Sequence, residues 1–94
     1  TRAAFERAVA AAEGGKHGLA FASGLAATTT LLHTLPAAAH VVCIDDVYGG
    51  TQRYFRRIAG PTYGFKFTFV DFTKPGALEA ALTAETKMVW METP

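Results

Sequence analysis

The sequence lacks most of what would mark a protein for secretion, a membrane or nucleic acid. It has a single cysteine, Cys43, which cannot close an internal disulfide, and this excludes a disulfide-built secreted scaffold. Its apolar stretches are broken by Gly, His, Lys or Pro well short of the ~20 residues needed to span a bilayer. Charge of one sign is lacking too. Nine Lys and Arg stand against eight Asp and Glu, a formal +1, which leaves no electrostatic footprint for nucleic acid or an anionic membrane. The start carries Arg2, Glu6 and Arg7 among alanines and shows no signal-peptide pattern. The expectation is a soluble, cytoplasmic protein with neither nucleic acid nor membrane as partner.

What is present fits a globular core. Half of the residues are hydrophobic and 18% are charged. The length, 94 residues, falls short of the ~150 typical of a domain, so one domain at most is expected. The chain opens on Thr1 inside a predicted helix and closes at Pro94 directly after an apolar run. A piece of a larger protein is therefore expected.

Residues 2 to 13 place Phe5, Ala8, Val9 and Ala12 at helical spacing, with Gly14-Gly15 as the stop. Leu19-Ala20-Phe21-Ala22 is wholly apolar and reads as a strand buried on both faces. Ser23 offers an N-cap to an apolar helix from Leu25 to Leu35, closed by Pro36. Val41-Val42-Cys43-Ile44 reads as a second strand, and Thr51 as the cap of a helix ended by Gly60-Pro61. Phe65 to Val70 alternates as a third strand. Pro75 suits the first turn of a helix that runs on from Ala77 to Leu82, and Met88 to Met91 reads as a fourth strand. Short apolar strands alternating with helices predict an α/β fold with a doubly wound, mainly parallel sheet. Such folds place chemistry at the carboxyl ends of the strands, here Ser23-Gly24, Asp45 to Gly50, Asp71 to Lys74, and Glu92 onward.

Two of these loops carry candidate chemistry. At Ser23-Gly24-Leu25, free N–H groups and the positive end of a helix dipole form an anion site, although Ser-Gly is equally read as a plain helix cap. The three-glycine dinucleotide fingerprint is absent, and Gly14-Gly15-Lys16-His17 is no phosphate loop. In Asp45-Asp46-Val47-Tyr48-Gly49-Gly50-Thr51, a tyrosine beside two glycines can lay its ring over a planar ligand, and Arg53 follows within reach of a carboxylate. The same residues also read as turn formers, a packing tyrosine and a surface arginine. Asp45 and Asp46 diverge as neighbours and have no further ligand at metal spacing, so no metal is expected. His33 reads as packed and hydrogen-bonded, Cys43 as a small buried hydrophobe, and Phe65, Phe67 and Phe69 as core.

The runs Ser23 to Ala27, Asp45 to Phe55, Phe69-Val70-Asp71 and Glu85 to Pro94 together resemble the transsulfuration enzymes that use pyridoxal phosphate (PLP). The likeness runs nearly the whole length of the chain. It implies that residues 1–94 are part of the large PLP-binding domain of a fold-type I, aspartate aminotransferase-like enzyme. It also implies that Gly24 and Leu25 hold the PLP phosphate through their backbone amides, that Tyr48 stacks on the pyridine ring close to the substrate amine, and that Arg53 lies in the substrate region. Glu92 matches a residue on the strand edge near the cofactor. The activity implied is a carbon–sulfur lyase acting on cystathionine by γ-elimination, giving cysteine, 2-oxobutyrate and ammonia, within a homotetramer.

The family's Schiff-base lysine stands in a Ser-x-Thr-Lys setting that neither Lys74 nor Lys87 has. No catalytic residue is assigned in this chain, and by itself it is expected to be inactive and to fold poorly. Sister activities on the same scaffold stay open: γ-synthesis, β-elimination of cystathionine, or γ-elimination of methionine. A non-catalytic nucleotide-binding or signalling domain also stays open, weakened by the missing glycine fingerprint and by the lack of an acidic phosphorylation pocket.

Overall fold

Val41, Val42 and Cys43 are each 0% exposed, which requires a strand covered on both faces and flanked on both edges. The computed structural model, which describes residues 1–94, provides that setting. The chain divides into two compact units, residues 1–31 and 32–94.

In the first unit, α1 (Arg2–Ala12) is followed by an extended segment and the start of α2 (Gly24–Leu32). The strand expected at Leu19 to Ala22 is not formed. Leu19 is 79% exposed, and the amide of Ala20 donates to Glu6 Oε2 at 2.7 Å instead of to a neighbouring strand. Glu6 is held in turn by Arg2 at 4.0 Å, the pair that the helical spacing brings together. The approach depends on Gly18, where a Cβ would lie 2.3 Å from the carbonyl oxygen of Glu6. A short apolar run does not by itself distinguish a strand from a segment laid along a helix. No helix is long and apolar enough to cross a membrane.

The second unit holds β1 (His40–Ile44), β2 (Lys66–Val70) and β3 (Thr86–Trp90). All pairings are parallel, in the order β2–β1–β3, so there are three strands where the sequence reading expected four. The register pairs Val41 with Phe67 and Met88, and Cys43 with Phe69 and Trp90, which sets one face of the sheet. On that face Phe55 stacks on Phe67 (4.5 Å, 12°) and meets Trp90 edge-on (5.9 Å, 86°). Leu32, Ala39, Ala59 and Phe65 complete the core.

The helix after β1 differs from expectation at both ends. It starts at Gly49 with Tyr48 as N-cap, and Thr51, expected as the cap, is 3% exposed inside the first turns. It also runs through Gly60-Pro61: α3 (Gly49–Tyr54) passes into a π-helical segment, Phe55–Ala59, and then into α4 (Gly60–Tyr63), stopping at Gly64 in the left-handed conformation. Pro61 has no N–H to give, and its ring crowds the carbonyl four residues back. A widened turn just upstream lets the helix continue. Similarly, α5 (Ala77–Ala81) begins after Gly76, which leaves Pro75 in the preceding turn.

Across the opposite face His40 spans the sheet. Its Nδ1 pairs with Thr86 Oγ1 at 2.6 Å and its Nε2 with Thr68 Oγ1 at 2.7 Å, so a histidine 6% exposed has both ring nitrogens satisfied. His33 is hydrogen-bonded as expected, with Nε2 2.9 Å from Tyr54 Oη and its ring edge-on to Tyr63 and Phe65, but it is exposed and not packed in the core.

Burial, reinforced by the negative charge of Glu92, pushes the Cys43 thiol from 9.0 up to about 12. Its contribution to stability is therefore complete below pH 9 and is lost as the pH climbs towards 12, because only the unfolded chain can form the thiolate. The expected result in the full-length protein is a fall in stability across that window that is shallower in Cys43→Ala. Equal slopes in the two proteins, followed by urea unfolding, would contradict it.

Candidate active site

Because the strands are parallel, their carboxyl ends share one edge of the sheet. Three segments leave that edge: residues 45–48 after β1, 71–74 after β2 and 91–92 after β3. The β2 loop is tied by Asp71, whose Oδ1 accepts both the amide (2.9 Å) and the hydroxyl (2.6 Å) of Thr73. These hydrogen bonds hold its carboxyl below the usual range.

Tyr48 leaves the β1 loop with its side chain 64% exposed. Its ring lies across Gly50, where a Cβ would come within 2.6 Å of Tyr48 Cε1. Any side chain at position 50 would therefore displace the ring. Arg53, in the last turn of α3, joins Gly49, Gln52, Arg56 and Arg57 around a shallow surface cleft. A cleft lined by three arginines suits a carboxylate or phosphate. Arg56 is not merely a solvated face residue, because its guanidinium sits 3.9 Å above the centre of the Phe69 ring.

Glu92 joins two of the strand ends. Its Oε2 accepts the backbone N–H of Tyr48 at 3.0 Å, and its Oε1 accepts the indole N–H of Trp90 at 3.0 Å. The residues alone gave no sign of this link, which depends on the register of β1 against β3.

In the first unit, Gly24 and Leu25 occupy the first turn of α2. Ser23 caps that turn as expected, its Oγ accepting the amide of Ala26 at 3.1 Å. The amides of Gly24 and Leu25 precede any acceptor within the helix, so they project from its positive end. Gly24 has no positive φ, and a Cβ there would meet nothing within 4 Å. The fold itself does not require glycine at this position. An open, bare first turn with free amides fits a phosphate group laid against the backbone. The exposed Tyr48 ring likewise fits a planar aromatic ligand.

Comparison with known proteins gives these features a family. The profile of the Cys/Met metabolism PLP-dependent enzymes matches residues 1–94. Cystathionine gamma-lyase of Bos taurus is 60% identical over the whole chain, and cystathionine beta-lyase of Coxiella burnetii is 52% identical over the same length. Among solved structures, cystathionine gamma-lyase from Lactobacillus plantarum, complexed with L-serine, superposes with a TM-score of 0.89 at 42% identity over 94% of this chain. The chain spans only 23% of the length of the Bos taurus and Lactobacillus plantarum proteins. Over its entire length, the chain belongs to the Cys/Met metabolism PLP-dependent enzyme family.

Proposed function

We propose that residues 1–94 form part of the PLP-binding domain of a larger carbon–sulfur lyase, which cleaves cystathionine by γ-elimination to cysteine, 2-oxobutyrate and ammonia with uptake of water. The observation that carries this reading is the unbroken likeness from Thr1 to Pro94 to proteins named cystathionine gamma-lyase, at 60% identity for that of Bos taurus.

In this reading the amides of Gly24 and Leu25 hold the cofactor phosphate, supported by their free N–H groups and by the open space at Gly24. Tyr48 lies against the cofactor ring, and Arg53 receives a substrate carboxylate as a bidentate donor. PLP, when bound, supplies the electron sink for carbanion chemistry at the substrate. The share of this chain is orientation: it anchors one end of the cofactor, limits the tilt of its ring and pairs with one carboxylate of the substrate. The lysine that carries the cofactor belongs to another part of the protein, and the assembly is a homotetramer. We place the enzyme in the cytoplasm, in keeping with the free thiol of Cys43.

The test is to incubate the full-length protein with PLP and cystathionine and to identify the products. Cysteine with 2-oxobutyrate is expected. Homocysteine with pyruvate would move the protein to the β-eliminating branch represented by the Coxiella burnetii relative. No turnover, with no lysine-linked cofactor after borohydride reduction, would overturn the reading.

A further inference from the structure

Tyr48 is the N-cap of α3, and the N–H of an N-cap residue has no acceptor in its own helix. In a capping box, a Glu or Gln three residues on reaches back to that N–H. Here the third residue on is Thr51, which is 3% exposed and offers no carboxylate. The acceptor comes from the adjacent strand, where Glu92 Oε2 takes the Tyr48 amide at 3.0 Å. The other oxygen of Glu92 takes the Trp90 indole N–H at 3.0 Å, and Trp90 stands edge-on to the fully buried Phe55. The Tyr48 backbone is thus fixed through Glu92 to the aromatic core, while Gly50 leaves room for the ring to lie flat.

We propose that Glu92 is a positioning residue for Tyr48, setting the place of the tyrosine ring against the cofactor from the end of β3. The inference rests on the reading that Tyr48 lies against PLP. An ionised carboxylate is suited to the task because it accepts at both oxygens, whereas a glutamine offers one acceptor and turns a donor toward the second N–H. Its negative charge also sits favourably at a helix start.

The test uses the full-length protein, first without cofactor. Glu92→Ala should speed amide hydrogen exchange in the peptide containing Tyr48 by about tenfold, the scale of one charge-assisted hydrogen bond. Titrated with PLP, the variant should also bind several-fold more weakly, with altered circular dichroism of the bound cofactor. A rescue separates positioning from bulk stability. In a Trp90→Phe background the indole donor is gone, so Glu92→Gln has only the Tyr48 amide to satisfy and should restore slow exchange and wild-type dichroism, while Glu92→Ala in that background should not. Unchanged exchange in Glu92→Ala would overturn the assignment. Faster exchange with unchanged PLP affinity and dichroism would also overturn it, leaving Glu92 a structural tie alone. A wild-type protein that fails to bind PLP would instead sink the functional reading, a result that the cofactor-free exchange data would keep distinct.

Discussion

Phe55→Ala is expected to destabilise the sheet unit by about 3–5 kcal/mol, the range for truncating a fully buried phenylalanine. The side chain is 0% exposed and lies at the crossing of two aromatic contacts, stacked on Phe67 and edge-on to Trp90. Both neighbours sit on the strands that flank β1, so the cavity would open over the one strand buried on both faces. It would also form inside the π-helical segment, where neighbouring backbone has little freedom to collapse into it. Hydrogen exchange of the Val41 to Cys43 amides in the full-length protein offers a local readout. Their protection should fall by about two to nearly four orders of magnitude, which corresponds to the expected free energy. Phe55→Leu, which keeps much of the volume, should lose far less. A fall below about tenfold in the alanine variant would mean that the core on this face does not govern the opening of β1.

The same residues show which parts of the structure could be read in advance. Strands β1, β2 and β3 lie where Val41 to Ile44, Phe65 to Val70 and Met88 to Met91 predict them, because each run is short, apolar and bounded by turn residues. Leu19 to Ala22 carries the same signature and is no strand. Its fate is decided by Gly18 and by the carboxylate of Glu6, neither of which enters an apolar count. The helix that passes Pro61 was hidden for a related reason: local rules read Gly-Pro as a stop and do not foresee a π turn. The loops that carry Tyr48, Asp71 and Glu92 could be located, since a parallel sheet fixes which ends of its strands gather on one edge. The hydrogen bonds between them could not. Tyr48 to Glu92 spans 44 positions, and His40 reaches Thr68 and Thr86 across 28 and 46, so all three depend on strand register.

Gly24→Asp is expected to act in opposite directions on the fold and on the cofactor. At the first turn of α2 a carboxylate would stabilise the helix by about 0.3–1 kcal/mol through its dipole. Nothing within 4 Å of the new Cβ resists it. The melting temperature of the full-length apoprotein should therefore hold or rise. If the phosphate lies at the free amides as proposed, PLP binding should collapse, because the new carboxylate would occupy that place. Two like charges about 4 Å apart near a protein surface repel by up to about 4 kcal/mol, so a loss of up to about a thousandfold in affinity is expected. Gly24→Ala supplies the control for bulk: it adds a side chain without charge, and its loss of affinity should be the smaller. Cofactor affinity measured by equilibrium titration, alongside thermal unfolding of the apoprotein, separates the two effects. If Gly24→Asp bound PLP as tightly as the wild type, the phosphate would have to lie elsewhere, and the open space at Gly24 would need another explanation. A stabilised apoprotein that no longer binds PLP is the outcome that an anion site at this helix start requires, since damage to the fold would lower both quantities together.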